Sequence, residues 1–429
     1  MSYIPHTEAD RRAMLKRVGL ASIDELFDEI PASVRLKRPL DIAPGLTQME
    51  VEAEVNRLAA ANAAAMATCF AGGGAYDRYI PAAERSLLQR GEFLTAYTPY
   101  QAETSQGTLQ FTFEFQSLMC ELTGMEVANA SMYDGSTATA EAAAMARAAT
   151  GRHAVVLASG LNPEYRQVVE TYAEGLGFPL RDSVDGETAA LIVPQVDFFG
   201  NIADVAAAAK TAHAAGALLV VVTDPSLLGV LEAPGHLGAD IVVGDGQPLG
   251  LPISYGGPSF GFFASKMDLV RRMPGRIVGI AHDHEGRRGF VLTLQAREQH
   301  IRRAKATSNI CTNQAYCALA ATIYLTLLGP QGLREVGELS YQKAHYAADQ
   351  LTKLPGVKLA FPDRPFFQEF ALRAPRAVVG PLLDRGYLVG PALDRWFPDL
   401  KDAFLVAVTE RRTKAEIDGL VAALREVLA

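Results

Sequence analysis

The sequence predicts an α/β protein: a mostly parallel central sheet covered by helices, followed by a small C-terminal α+β domain. Three observations carry this. Between Ala128 and Lys266, apolar runs rich in β-branched residues alternate with amphipathic helical patterns. Those runs are Ala154–Ala158, Ala189–Val193, Ala217–Thr223, Ile241–Val243 and Phe260–Ala264, and they are apolar almost throughout. Strands buried on both faces read this way, whereas half-exposed strands alternate. Beyond Gly329 the pattern changes to helices mixed with short strands, Val357–Ala360 and Phe404–Val408, closing on a helix at Thr413–Val427.

Taken in order, the charged N-terminus holds one short amphipathic helix near Glu8–Val18 and reads as an arm. Thr47-Gln48-Met49-Glu50 has capping-box spacing, and Val51, Val55, Leu58 and Ala61 then share a helix face. Cys69–Pro81 (CFAGGGAYDRYIP) reads as a loop-rich segment whose three glycines mark special backbone positions, and Gly107–Thr123 as a helix. Pro163–Leu176 has Asn162 to cap its start and Gly177 beyond its end. A charged stretch up to Asn309 leads into a helix at Gln314–Leu328. The predicted division is an arm with helices at 1–60, a large α/β domain at 61–328 and the small domain at 329–429.

The chain has 429 residues, and its 48 acidic against 40 basic side chains leave a net charge of −8. That balance argues against nucleic acid or an anionic membrane as the main partner. Apolar runs such as Ala214–Val222 are too short to span a bilayer, and the N-terminus lacks the apolar core of a secretion signal. Cys69, Cys120, Cys311 and Cys317 do not make a disulfide framework in so long a chain. A reduced, cytoplasmic protein is the expectation.

Ligands of such sheets sit at the carboxyl ends of the strands, which places Asp224, Asp245 and the loop Gly244–Pro258 near a site. Gly135, Ser136 and Thr137 open a helix, where free N–H groups can cradle a phosphate or simply be capped. Asp134 beside them competes with any anion. Asp224 ends a strand, as does the carboxylate that pairs with the ring nitrogen of pyridoxal phosphate; a turn cap before Pro225 is the plainer alternative. A Schiff-base lysine should follow, but none lies between Lys210 and Lys266, and Pro248 has no amine. Lys266 reads as a surface lysine at a strand end, and Lys305 belongs to the basic run Arg302–Lys305. His282-Asp283-His284-Glu285 reads as an exposed hairpin tip rather than a zinc site, and no metal is expected. Cys311 and Cys317 read as core thiols. Lys305 to Ile310 combines a cation, hydroxyls and an amide, which suits phosphate contacts or a helix cap equally.

Several longer stretches share one further likeness: Tyr3–Thr7, Gly72–Pro81, Thr98–Gln110 (TPYQAETSQGTLQ), Leu122–Ala142, Phe290–Ala315 and Leu405–Asp418. Across essentially its whole length the chain resembles the N-terminal half of glycine decarboxylase, the P-protein of the glycine cleavage system, in its two-chain form. The resemblance implies a pyridoxal-phosphate fold type I-like architecture. It implies that the cofactor lysine, in a His-Lys pair, belongs to the second chain, because Gln247-Pro248 stands at that place here. No catalytic residue is then expected in this chain. Thr307, Ser308 and Asn309 would reach the phosphate of the partner's cofactor, and Thr98, Tyr100, Gln101, Ser105 and Gln106 would wall the partner's site. Gly135, Ser136, Thr137, Asp224 and Gln247 would form a vestigial pocket. The implied partners are the lysine-bearing subunit 2 and the lipoylated H-protein, the substrate is glycine, and the reaction is an oxidoreductase step of glycine catabolism, with two copies of each chain. Two other readings stay open: a free-standing pyridoxal-phosphate enzyme using Lys266 or Lys305, and a non-catalytic scaffold or regulatory paralogue.

Overall fold

The computed structural model describes residues 5–95, 97–254 and 257–429. Tyr3 and Ile4 of the first shared stretch, and Tyr255 and Gly256 of the loop after Asp245, lie outside the described residues. The chain forms two compact units, Met1–Asn62 and Ala63–Ala429.

In the first unit the helices Glu8–Val18 and Gln48–Ala60 both start on a capping box, Thr7 with Asp10 and Thr47 with Glu50. No described residue of this unit is buried. The predicted stripe forms, but Val51, Val55 and Leu58 are exposed.

The second unit holds fourteen strands among its described residues: β1 (Thr68–Ala71), β2 (Val127–Ala128), β3 (Ala154–Leu157), β4 (Leu180–Arg181), β5 (Thr188–Pro194), β6 (Leu218–Val222), β7 (Ile241–Asp245), β8 (Gly261–Ser265), β9 (Ile277–His282), β10 (Arg288–Thr293), β11 (Lys358–Leu359), β12 (Glu369–Arg373), β13 (Tyr387–Gly390) and β14 (Ala403–Ala407). Seven make the central sheet in the order β2-β8-β7-β6-β5-β3-β4. Pairing is parallel from β7 to β4, and β8 is antiparallel to both neighbours. All five predicted runs are strands of this sheet. Their side chains divide by the two-residue repeat: Leu219, Val221 and Val242 pack with Phe115, Met119 and Tyr324, while Val220, Val222, Ile241 and Val243 pack under the helix Gly135–Thr150.

β11, β12 and β14 form a three-stranded antiparallel sheet that packs with the helix Lys414–Leu428 around Phe370, Phe404, Leu420 and Leu424. One prediction needs correction here. The segment Cys69–Pro81 is not all loop, because β1 opens it and pairs in parallel with β13. Phe70, fully buried, explains why: it belongs to the C-terminal core. The helix expected at Gln314–Leu328 forms from Ala315 and ends where expected, because Gly329 (φ 63°) leaves the helical conformation before Pro330 opens a second helical run to Leu351. Glycine supplies the turn and proline continues the helix from its fixed φ.

Arg78, 4 % exposed, ties these parts together. Its guanidinium donates to Ser226 Oγ (2.7 Å), Gln368 Oε1 (2.6 Å), Glu410 Oε2 (2.7 Å) and Ser340 Oγ (3.3 Å). Removing one partner of a buried ion pair costs about 3–5 kcal/mol, because the other charge stays buried. Arg78→Met therefore lowers unfolding free energy by about that much in urea melts. Arg11→Ala, which removes an exposed pair with Glu8, changes it by less than about 1 kcal/mol. Equal effects of the two substitutions contradict this account.

Candidate functional site

The carboxyl ends of β5, β6 and β7 open on a cavity of about 80 Å3 whose lining includes Asp197, Asp224, Asp245, Glu369, Tyr165 and Pro248. Four carboxyl groups and no lysine or arginine line it. Each carboxylate is already engaged. Asp224 caps the short turn after β6: its Oδ1 accepts from Ser226 N (2.8 Å) and Ser226 Oγ (2.6 Å), and its Oδ2 from Gln368 Nε2 (3.1 Å). Asp245 accepts from Gly135 N (3.1 Å), Gln247 N (2.9 Å) and Ser259 Oγ (2.5 Å). Burial pushes the Asp245 carboxyl up, and these donors oppose the shift. Glu369 Oε1 accepts from Gly73 N (2.7 Å) and Oε2 from Tyr76 Oη (2.9 Å), while burial lifts its pKa to about 7. Tyr165 is held well above the usual range by burial, and next by the charges of Asp245, Asp134 and Asp224.

The helix start that could cradle a phosphate is filled from within the chain. Asp134 Oδ1 accepts from Thr137 N (2.8 Å) and Ser136 Oγ (2.5 Å), and Asp245 takes the N–H of Gly135. Gly135 is glycine because a Cβ would lie 2.1 Å from Tyr165 Oη and 2.6 Å from Asp245 N. Gly135, Ser136 and Thr137 are therefore a capped helix end rather than part of the cavity wall. Gln247 also differs from its predicted place. It is buried, and its amide bonds Tyr76 N (2.9 Å), Tyr76 O (3.1 Å) and Leu251 O (2.7 Å), so it braces the loop. Asp224 and Pro248 do line the cavity.

Pyridoxal phosphate does not fit this pocket. Its phosphate would meet Asp134 and Asp245 at the helix start, and a unit charge opposing another at 4 Å costs about 4 kcal/mol at an effective dielectric constant of 20. The cavity is also well below the roughly 300–1,000 Å3 of ordinary ligand clefts. Lys266 bonds Asp240, which precedes β7, so it lies at the opposite end of that strand from Asp245. Lys305 is exposed on a single 3-10 turn, Arg303–Lys305.

A second polar region gathers the segments 98–101 and 307–314. Tyr100 Oη accepts from Arg276 Nη2 (3.1 Å), Tyr97 Oη bonds Thr312 Oγ1 (3.1 Å), and Tyr133 Oη accepts from Cys311 N (3.4 Å). Asn313 Nδ2 donates to Ser131 Oγ (2.9 Å), at a serine with φ 148°. Such strain in a non-glycine residue persists only where the surroundings enforce it. Ser308 Oγ accepts from Ile310 N (3.1 Å) and faces Glu141, whose pKa burial raises to about 7. Thr307, Asn309 and Gln101 are exposed. Ser105 accepts Leu109 N through its carbonyl at a helix start. Gln106 is exposed, and its amide bonds both Phe290 N (2.9 Å) and Phe290 O (2.8 Å) at the edge of β10. Cys311 is exposed rather than a core thiol, whereas Cys317 is buried. His282–Glu285 ends β9 and enters the hairpin tip before β10, and no metal-holding group of three or more His, Cys, Asp or Glu exists among the described residues.

Sequence reasoning missed Asp197, Tyr165, Tyr76 and Glu369. Asp197 follows β5 and Tyr165 sits in the first turn of the helix Pro163–Leu176, so strand-end position could have flagged both. Nothing local marks Glu369, which arrives from the C-terminal sheet.

The family described as glycine cleavage system P-protein matches residues 1–424. A chain from Desulforamulus reducens named "Probable glycine dehydrogenase (decarboxylating) subunit 1" is 52 % identical over 443 residues and covers 99 % of both chains. One of the same name from Moorella thermoacetica is 50 % identical over 447 residues and covers 100 % of both. A crystal structure of glycine decarboxylase (P-protein) of the glycine cleavage system, in inhibitor-bound form, superposes with a TM-score of 0.93 at 47 % identity over all of both chains. A Lactobacillus brevis glutamate decarboxylase, at TM-score 0.67, 14 % identity and 94 % and 97 % coverage, shares the fold alone.

The raised Glu369 pKa makes a signed prediction. The folded state keeps this proton up to about pH 7, while the unfolded chain releases it near the ordinary value of 4.5. Folding then takes up a proton between those values, and stability falls as pH rises through that window. Melting temperatures of Glu369→Gln decline less than those of the unsubstituted protein between pH 5 and pH 7.5. Parallel profiles contradict the assignment.

Proposed function

The chain belongs to the glycine cleavage system P-protein family, and from that premise we propose that it is the half that does not hold pyridoxal phosphate. It serves as a P-protein subunit, part of an oxidoreductase of glycine cleavage, on a fold shared with pyridoxal-phosphate fold type I enzymes. In our reading a lysine-bearing subunit 2 carries the cofactor. Together the two chains decarboxylate glycine and pass the aminomethyl group to the lipoyl group of the H-protein. The observation that carries this is the closed cradle: Asp134 and Asp245 occupy the donors of the helix start, and Pro248 stands where an imine-forming lysine would be.

Bound pyridoxal phosphate supplies an electron sink for the carbon that loses carbon dioxide. This chain contributes shape and hydrogen bonds. Thr307, Ser308 and Asn309 donate to the phosphate of the partner's cofactor, and Thr98, Tyr100, Gln101 and Ser105 wall its site and exclude water. Tyr100 is steadied by Arg276, and Gln106 braces the wall from behind through β10. The exposed apolar stripe of the first unit is consistent with a surface that an assembly covers. We place the assembly in the cytoplasm with two copies of each chain, and keep the division of the second unit into a large domain to 328 and a small one from 329. No described helix is long and apolar enough to cross a membrane.

Borohydride trapping tests the reading. Neither Lys266 nor Lys305 is labelled, the partner lysine is, and glycine–bicarbonate exchange requires both chains. A label on this chain purified alone overturns the proposal in favour of a free-standing enzyme, and full exchange by the partner alone favours a scaffold. In the assembled enzyme, Thr307→Ala with Ser308→Ala weakens cofactor affinity roughly tenfold to a hundredfold, the value of one charged hydrogen bond. Unchanged affinity removes the phosphate role.

A further inference from the structure

A cavity of about 300 Å3 opens beside the short helix Met267–Arg272, remote in sequence from the acidic cleft. Arg271, Arg297 and Arg302 line it with Leu294 and Ala296, so three arginines and no acidic residue form its wall. In a chain of net charge −8 this is a local inversion of sign.

The buried charges around it do not balance. Arg297 is 9 % exposed, and its Nη atoms donate to the neutral carbonyls of Met273 and Gly275. Its Nε has no partner. Arg276, 3 % exposed and next to Gly275, leaves Nε and Nη1 unpartnered. One buried carboxylate, Glu298, stands against these two cations. Its Oε2 lies 3.9 Å from Arg276 Nε and 3.6 Å from His300 Nδ1, and its Oε1 has no partner. A buried guanidinium that meets only carbonyls is costly, and burial pushes Arg297 below its ordinary pKa. Arg276 lies outside the wall, but an anion in the cavity sits beside Arg297 and offsets its buried charge. The exposed Arg271 and Arg302 are free in length and position to close on it. Arg303, the next residue, holds φ 54°, which fixes a tight turn in the segment that carries Arg302.

We propose that this cavity is a phosphate-binding site, for inorganic phosphate or the phosphate of a small ester. Three guanidinium groups suit an anion of charge near −2 with three or more oxygens; a carboxylate would satisfy one fork and leave the others. The volume sits at the lower end of small-molecule sites. The segment that carries Arg297 and Arg302 runs on into Thr307–Asn309, so an occupied site also restrains that loop. The site rests on its own lining and stands or falls independently of the subunit assignment.

The test is calorimetric titration of the full chain with inorganic phosphate, and separately with glycerol phosphate, in chloride at matched ionic strength. One saturable site per chain is expected. Arg271→Ala with Arg302→Ala, both exposed positions, raises Kd at least tenfold, while Lys210→Ala, an exposed cation on the helix Val205–Ala214, leaves it unchanged. Tighter binding of glycerol phosphate identifies an ester as the ligand, and tighter binding of inorganic phosphate identifies the free ion. No saturable binding, or an equal loss with Lys210→Ala, overturns the proposal. Unchanged melting temperatures of the variants show that the fold is intact.

Discussion

The second unit depends on one buried cation. Arg78 is buried with both Nη groups matched, and its partners come from the turn after β6, the long helix Ala315–Leu351, the strand approach at Gln368 and the loop at Glu410. Up to 332 residues separate them along the chain. Each satisfied donor fixes one part of the C-terminal region against the central sheet. The neighbouring glycines follow from the same closeness: a Cβ on Gly72 would sit 1.9 Å from Glu369 Oε1, and one on Gly200 would sit 1.8 Å from Glu369 O. Glu369 therefore enters the cleft from the C-terminal sheet because Arg78 holds that sheet in place.

The cleft that results is chemically unlike the anion cradle its position suggests. Helix starts bind anions because unsatisfied N–H groups and the dipole point the same way. Here two aspartates of the chain itself meet that demand, one from the cap position and one from the end of β7. An intramolecular carboxylate is always present at high effective concentration, so an external phosphate has to displace it as well as overcome its charge. The same bonds that close this end of the sheet brace the loop holding Pro248. Polar groups with spare capacity lie elsewhere, along the segments 98–101 and 307–314 and around Arg276 and Arg297.

The strands were legible because burial on both faces leaves a continuous apolar run, and the helix ends because their caps are local: Thr47 with Glu50, Asn162, Gly177 and Thr413 each act within four residues. β1 was not legible. Four residues of ordinary composition became a strand only because β13, far along the chain, pairs with them and the C-terminal core takes in their Phe70. Gln247 misled for a similar reason. An amide beside a presumed site reads as a ligand contact, yet this one spends its hydrogen bonds on backbone that the fold brings close.

By itself the sequence determined the sheet class, the capped helices, the lack of a lysine at the cofactor position and the acid at the helix start. All of these are properties of residue type at short range. Tertiary structure alone decided which carboxylates share the cleft, that Asp245 closes the cradle from the strand end, and that three arginines surround one cavity. The reason is physical. Charge balance and cavity shape depend on distances between residues far apart in the chain, and those distances exist only once the sheet and its helices have packed.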